Sequence, residues 1–128
     1  MQKRWCKRHG HTQIPCAYSM GKVYRMVEPV LLLILNKKSA HGYELVELAN
    51  QYALTDSFID AAVVYRTLRE LEVNGYVISK WEIKEGRPAR RTYTITEAGK
   101  KLLADWIIII ENQKESLEKF LKEYKEEK

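Results

Sequence analysis

No stretch of the 128-residue chain approaches the roughly 18 consecutive apolar residues of a membrane span. The longest apolar runs, VLLLIL at 30–35 and WIIII at 106–110, are sized for a core. The basic N-terminus is not followed at once by an apolar region, which argues against a secretory signal. Cysteine is scarce. Two cysteines without other secretory features read as free thiols or metal ligands in a reducing cytoplasm rather than as a structural bridge. Internal repeats and low-complexity tracts are absent. His9, His11 and His41 have no carboxylate or nucleophile in a recognisable catalytic order, and there is neither a phosphate loop nor an H-E-x-x-H pattern. The chain is therefore not read as an enzyme.

What is present is a domain-sized chain with enough apolar residues, 45%, for one core. Lysine and arginine outnumber aspartate and glutamate by 22 to 17, a net charge of +5 that suits nucleic acid or another acidic surface. The distribution is more informative. Lys3, Arg4, Lys7, Arg8, Lys22 and Arg25 precede the first acidic residue, Glu28, and a second basic group gathers between residues 80 and 101. Residues 1–21 read as an arm in which Cys6, His9, His11 and Cys16 are spaced C-x2-H-x-H-x4-C. Zinc favours sulfur and nitrogen ligands of this kind, so the arm is a candidate site for zinc or another metal, although the spacing is not that of a zinc finger. The alternatives are a disordered basic tail and an upstream extension preceding a true start at Met20.

Residues 22–97 read as one compact unit. VLLLIL lies in a first helix over 22–38, regular from about Glu28, with Pro29 tolerated near its start. Ser39-Ala40-His41-Gly42 reads as a turn, and a second helix follows over about 42–53. The stretch from Asp60 to Gly75 is a third helix. Val64, Leu68 and Leu71 form its apolar stripe, Asp60 is placed to cap its start, and Gly75 to end it. Ala62, Tyr65, Arg66 and Arg69 lie off the stripe. Two strands around Gly86-Arg87-Pro88, at about 76–85 and 91–96, form a hairpin. A hairpin after a helix-turn-helix is a wing, and this one carries Lys84, Arg87, Arg90 and Arg91 near its tip; a solvated basic loop is the plainer reading.

Residues 98–128 continue as a long helix with Thr96 as N-cap. Leu103, Trp106, Ile110, Gln113, Leu117, Phe120 and Tyr124 recur at alternating spacings of three and four, an a/d-type seam. A winged domain can cover the first part of that seam and leave the rest for a second copy. Folding back of the whole helix onto its own domain is the alternative. The expected architecture is mainly α with a small β-hairpin, a winged helix-turn-helix carrying a C-terminal dimerisation helix.

Several segments together resemble the PadR family of transcriptional regulators: EPVLLLIL at 28–35, HGYEL at 41–45, VVYRTLRELEVNGYV at 63–77, SKWE at 79–82 and GRPARRTYTITEAGKKL at 86–102. The resemblance covers about residues 24–124 and points to the short PadR-like subfamily. It implies a winged helix-turn-helix homodimer that represses neighbouring genes until an effector intervenes. Many relatives carry Pro-Gly-Thr-Leu before the helix tyrosine, where this chain has Asp60 to Val64 without proline. Some short members stack flat drugs on a dimer-helix tryptophan. Counted from the Thr96-Glu97-x-Gly99 motif, that position holds Ile110 here, so Trp106 is expected to pack at the dimer seam.

The expected partners are thus double-stranded DNA with a pseudo-palindromic operator, a second copy of the chain and a small-molecule effector, with no membrane. Tyr43, Tyr65 and the wing arginines would hold phosphates, while Arg66 and Arg69 would read bases. Competing readings are a winged-helix protein-interaction module and a regulator that senses metal or redox state through the arm.

Overall fold

The computed structural model describes residues 26–52, 54 and 58–126. Its elements are helix α1 (Val27–Lys37), strand β1 (Ala40–His41), helix α2 (Gly42–Gln51), helix α3 (Ala61–Val73), strands β2 (Val77–Glu82) and β3 (Arg90–Ile95), and helix α4 (Glu97–Glu126). The strands form one antiparallel sheet in the order β1-β3-β2. No helix among the described residues is long and apolar enough to cross a membrane.

Helix α1 is the centre of the core because its sequence is apolar on nearly every side. Val27, Val30, Leu31, Leu32, Ile34 and Leu35 are all buried, and α2, α3, α4 and β3 pack around it. Pro29 sits in the first turn, where its missing N–H breaks no helical bond. Residues 22–25, expected in the same helix, lie outside the described residues.

The turn expected over 39–42 is partly a strand. Ala40 pairs with Tyr93 and His41 with Thr92, which covers the edge of β3. A two-residue strand has no periodicity, so nothing in the sequence marks it. Helix α2 then begins at Gly42, and Glu44 Oε1 accepts from the His41 backbone N–H at 2.9 Å, half of a capping-box arrangement.

Asp60 occupies the N-cap position of α3 with extended backbone, but its side chain makes no capping bond, contrary to the sequence expectation. The entry is held from α2 instead. Asn50 Nδ2 donates to the Ile59 carbonyl at 3.1 Å, and Asn50 Oδ1 accepts from the Ile59 N–H at 2.7 Å. The other end of α3 follows expectation. Gly75 has φ +82, its N–H donates to Glu72 O at 3.0 Å, and Tyr76 N–H donates to Leu71 O at 2.9 Å. These two bonds form a Schellman ending, which favours glycine at the left-handed position.

The hairpin pairs Val77 with Ile95 and Glu82 with Arg90, so its regular part is shorter than the stretch of strand-forming residues. Val77 and Tyr93 point into the core. Thr96 joins the hairpin to α4. Its Oγ1 accepts from Gly99 N–H at 3.1 Å and reaches back to the Gly75 and Tyr76 carbonyls at 2.8 and 3.0 Å. A Cβ on Gly99 would stand 2.2 Å from the Tyr76 carbonyl oxygen, so the junction requires glycine there.

Helix α4 uses the expected seam in two different ways. Leu103 and Trp106 are buried within the protomer, and Trp106 Nε1 donates to Glu28 Oε1 on α1 at 2.8 Å. This corrects their expected place at a dimer seam, because a side chain already buried in its own core has no surface left for a partner. Ile110 and Gln113 are half-buried, whereas Leu117, Phe120 and Tyr124 are exposed.

Burial raises the Glu28 carboxyl pKa above its ordinary 4.5; the Trp106 bond pulls against that shift, and nearby Glu70 adds to it. The folded state therefore binds this proton more tightly than the unfolded chain does. Stability falls as pH rises from 4.5 through the raised value, and the cost is complete above it. Urea unfolding of the Glu28→Gln variant across that range should show a stability gain over wild type that grows with pH. A difference independent of pH would contradict this reading.

Candidate nucleic-acid interface

The expected DNA-facing residues are carried by helix α3, the start of α2 and the wing. Helix α3 carries its apolar stripe into the core and leaves Ala62, Tyr65, Arg66 and Arg69 exposed. Neither arginine forms an ion pair with another described residue. Tyr65 also closes the gap to α2. A Cβ on Gly42 would lie 2.6 Å from Tyr65 Cε1, so glycine lets the two helices approach through this ring.

The start of α2 and the wing meet around Tyr43. The Tyr43 ring is 51% exposed, stacks with His41 at 6.0 Å between centroids, and has the Arg90 guanidinium 5.5 Å from its centre. A cation over an aromatic face is held without losing its donors, so Arg90 stays available to an anion. Beyond it, Lys84 and Arg87 are exposed at the turn of the hairpin. His41, Glu82, Lys84, Arg87, Pro88 and Arg90 line a cleft of about 50 Å³. That is well under the roughly 300–1,000 Å³ of most small-molecule pockets, and its cationic rim suits a phosphate.

His41 was not among the expected site residues. Its Nδ1 lies 3.1 Å from Thr92 Oγ1 and its Nε2 lies 3.8 Å from Glu82 Oε1, so it ties α2 to both wing strands. These contacts span up to 51 residues and leave no local sequence signal. Arg91 also differs from the expected free cation. It bonds to Ser79 and Glu72 and sits against Trp81 and Tyr93, whereas Arg87 is exposed and the half-buried Arg90 lies over Tyr43. Burial raises the Tyr93 phenol pKa while Arg91 pulls it down, so this ring stays neutral at pH 7. Cys6, His9, His11 and Cys16 lie outside the described residues.

The family model described as the transcriptional regulator PadR-like family matches residues 31–105. A probable transcriptional regulator of Mycobacterium tuberculosis is 32% identical over 80 residues, which cover 60% of this chain. The match spans 41% of that relative's length. A solved transcriptional regulator from Clostridium thermocellum is 26% identical with a TM-score of 0.65, over 73% of this chain and 88% of that one. Bacillus subtilis PadR, solved in complex with operator DNA, has a TM-score of 0.56 at 24% identity, over 66% of this chain and 48% of that one. At that identity the last likeness concerns the fold alone.

Proposed function

Since the chain belongs to the PadR-like family of transcriptional regulators, we propose that it is a homodimeric repressor that binds a pseudo-palindromic operator and is released by a small-molecule effector. The observation that carries the reading is the exposure of Arg66 and Arg69 on α3, without an ion pair to a described residue, on a helix that packs with α2, whose Tyr43 meets Arg90 of the wing. In this reading α3 enters the major groove, Arg66 and Arg69 meet base edges, and Tyr43, Tyr65, Arg90 and the wing tip hold phosphates. The operator complex of the Bacillus subtilis protein supports the use of this fold on DNA. No residue is given a catalytic role.

Two copies joined through α4 would present two α3 helices to one face of a duplex. Footprinting the full chain on the DNA upstream of its own gene should reveal two related half-sites with centres about 34 Å apart, or near that spacing. Protection of one unrepeated segment, or none, would overturn the dimeric operator reading. The effector would act by preferring one angle between the two heads.

The ligand types of Cys6, His9, His11 and Cys16, four within eleven residues, support a second proposal, that the arm binds zinc or another metal and senses metal or redox state. Replacing Cys6 and Cys16 with serine should abolish bound metal in elemental analysis of the purified chain. Equal metal content in variant and wild type would end that proposal.

A further inference from the structure

Arg91 lies in the basic wing, yet its guanidinium is committed within the protein. Its Nε donates to Ser79 Oγ at 2.9 Å, and its Nη2 donates to Glu72 Oε1 at 3.3 Å. Ser79 Oγ in turn donates to Glu72 Oε2 at 2.6 Å, which closes a triangle. The guanidinium carbon also lies 5.6 Å from the Trp81 ring centre and 5.8 Å from that of Tyr93. Glu72 belongs to the last turns of α3, Ser79 and Trp81 to β2, and Arg91 to β3. The triangle therefore joins the candidate reading helix to both strands of the wing.

We propose that Arg91 is a positioning residue that fixes the angle between α3 and the wing through Glu72 and Ser79, rather than a phosphate contact. Both oxygens of the Glu72 carboxylate are engaged within the triangle, and the planar fork of Arg91 bridges partners on two elements. A lysine supplies the same charge without that fork. The carboxylate also neutralises the guanidinium locally, which weakens any pull on a phosphate. The contrast with Arg90 is direct, since that residue stacks on Tyr43 and forms no ion pair with a described residue. The inference rests on the DNA-binding reading and sharpens it, because it removes one cation from the contact surface and gives it a geometric role.

The test uses the full chain, a duplex carrying its own upstream region, and a mixed-sequence duplex as control. Affinity is measured over a series of salt concentrations. Arg91→Ala and Glu72→Gln should each weaken binding by about tenfold, as coupled members of one network do. The double variant should be no weaker than either single one. Arg91→Lys should be nearly as weak as Arg91→Ala. The slope of log K against log salt should stay at the wild-type value in all four, whereas Arg87→Ala should lose about one phosphate's worth, ~0.9. A phosphate contact gives the opposite pattern: Glu72→Gln tightens binding, Arg91→Lys is tolerated, and Arg91→Ala lowers the slope. That pattern overturns the proposal and leaves the DNA reading intact. A wild-type chain without salt-dependent binding overturns both.

Discussion

Trp106→Ala is expected to cost about 3–5 kcal/mol of folding stability, the range for deleting a large aromatic from a packed core. Trp106 is 2% exposed although it lies on the long helix that is also the candidate dimer element. It packs with α1, and its indole N–H donates to the half-buried Glu28 carboxylate. Truncation both opens a cavity and leaves that carboxylate without its donor. A single domain is stable by only about 5–15 kcal/mol in all, so the variant should unfold at much lower denaturant. Trp106→Phe separates the two effects, since it keeps most of the ring volume and loses only the donor. Chemical denaturation followed by circular dichroism provides the measurement. A seam tryptophan would behave differently, with its loss felt through a dependence on protein concentration. A wild-type midpoint for Trp106→Ala would contradict the packing described.

The second large effect concerns the outer half of α4. Leu117, Phe120, Leu121 and Tyr124 are 53%, 69%, 50% and 61% exposed, an apolar stripe along the exposed end of a helix. A helix projecting in this way gains little from propensity alone and needs a packing partner. Replacing Leu117 and Phe120 with aspartate would place two charges on that stripe. Light scattering should show a dimer for the wild-type chain and a monomer for the variant, with the winged domain still folded because neither residue belongs to its core. Cutting the chain after Glu111 should have the same outcome, since that cut retains Trp106. A variant that remains dimeric would remove α4 from the dimer interface.

Much of this fold is readable along the chain because it depends on local spacing. The Val64, Leu68 and Leu71 stripe, the glycine that ends α3 and the threonine that opens α4 each follow from a few neighbouring residues. What was not readable depends on contacts between distant segments. The two-residue strand β1 exists because β3 offers an edge, and His41 becomes a tie because that pairing brings it to Thr92 and Glu82. The engagement of Arg91 by Glu72 requires the α3–β2 turn and the hairpin to be in place together. The seam of α4 looks uniform in sequence. Only the position of α1 determines that Leu103 and Trp106 are used inside the protomer and Phe120 is not. Asp60 shows the converse, a residue of capping type at a capping position whose side chain is not used.

The central claim is that α3 reads DNA through Arg66 and Arg69. The most direct measurement compares wild type with the Arg66→Ala, Arg69→Ala double variant on the chain's own upstream duplex and on a mixed-sequence duplex, each over a range of salt. Wild type should bind the upstream duplex more tightly, with log K falling steeply against log salt. The double variant should lose that preference, by ~1–3 kcal/mol for each arginine that grips a guanine, while still binding the mixed duplex through the phosphate contacts of α2 and the wing. A double variant that discriminates as well as wild type, or a wild type indifferent to duplex sequence and to salt, would contradict the account.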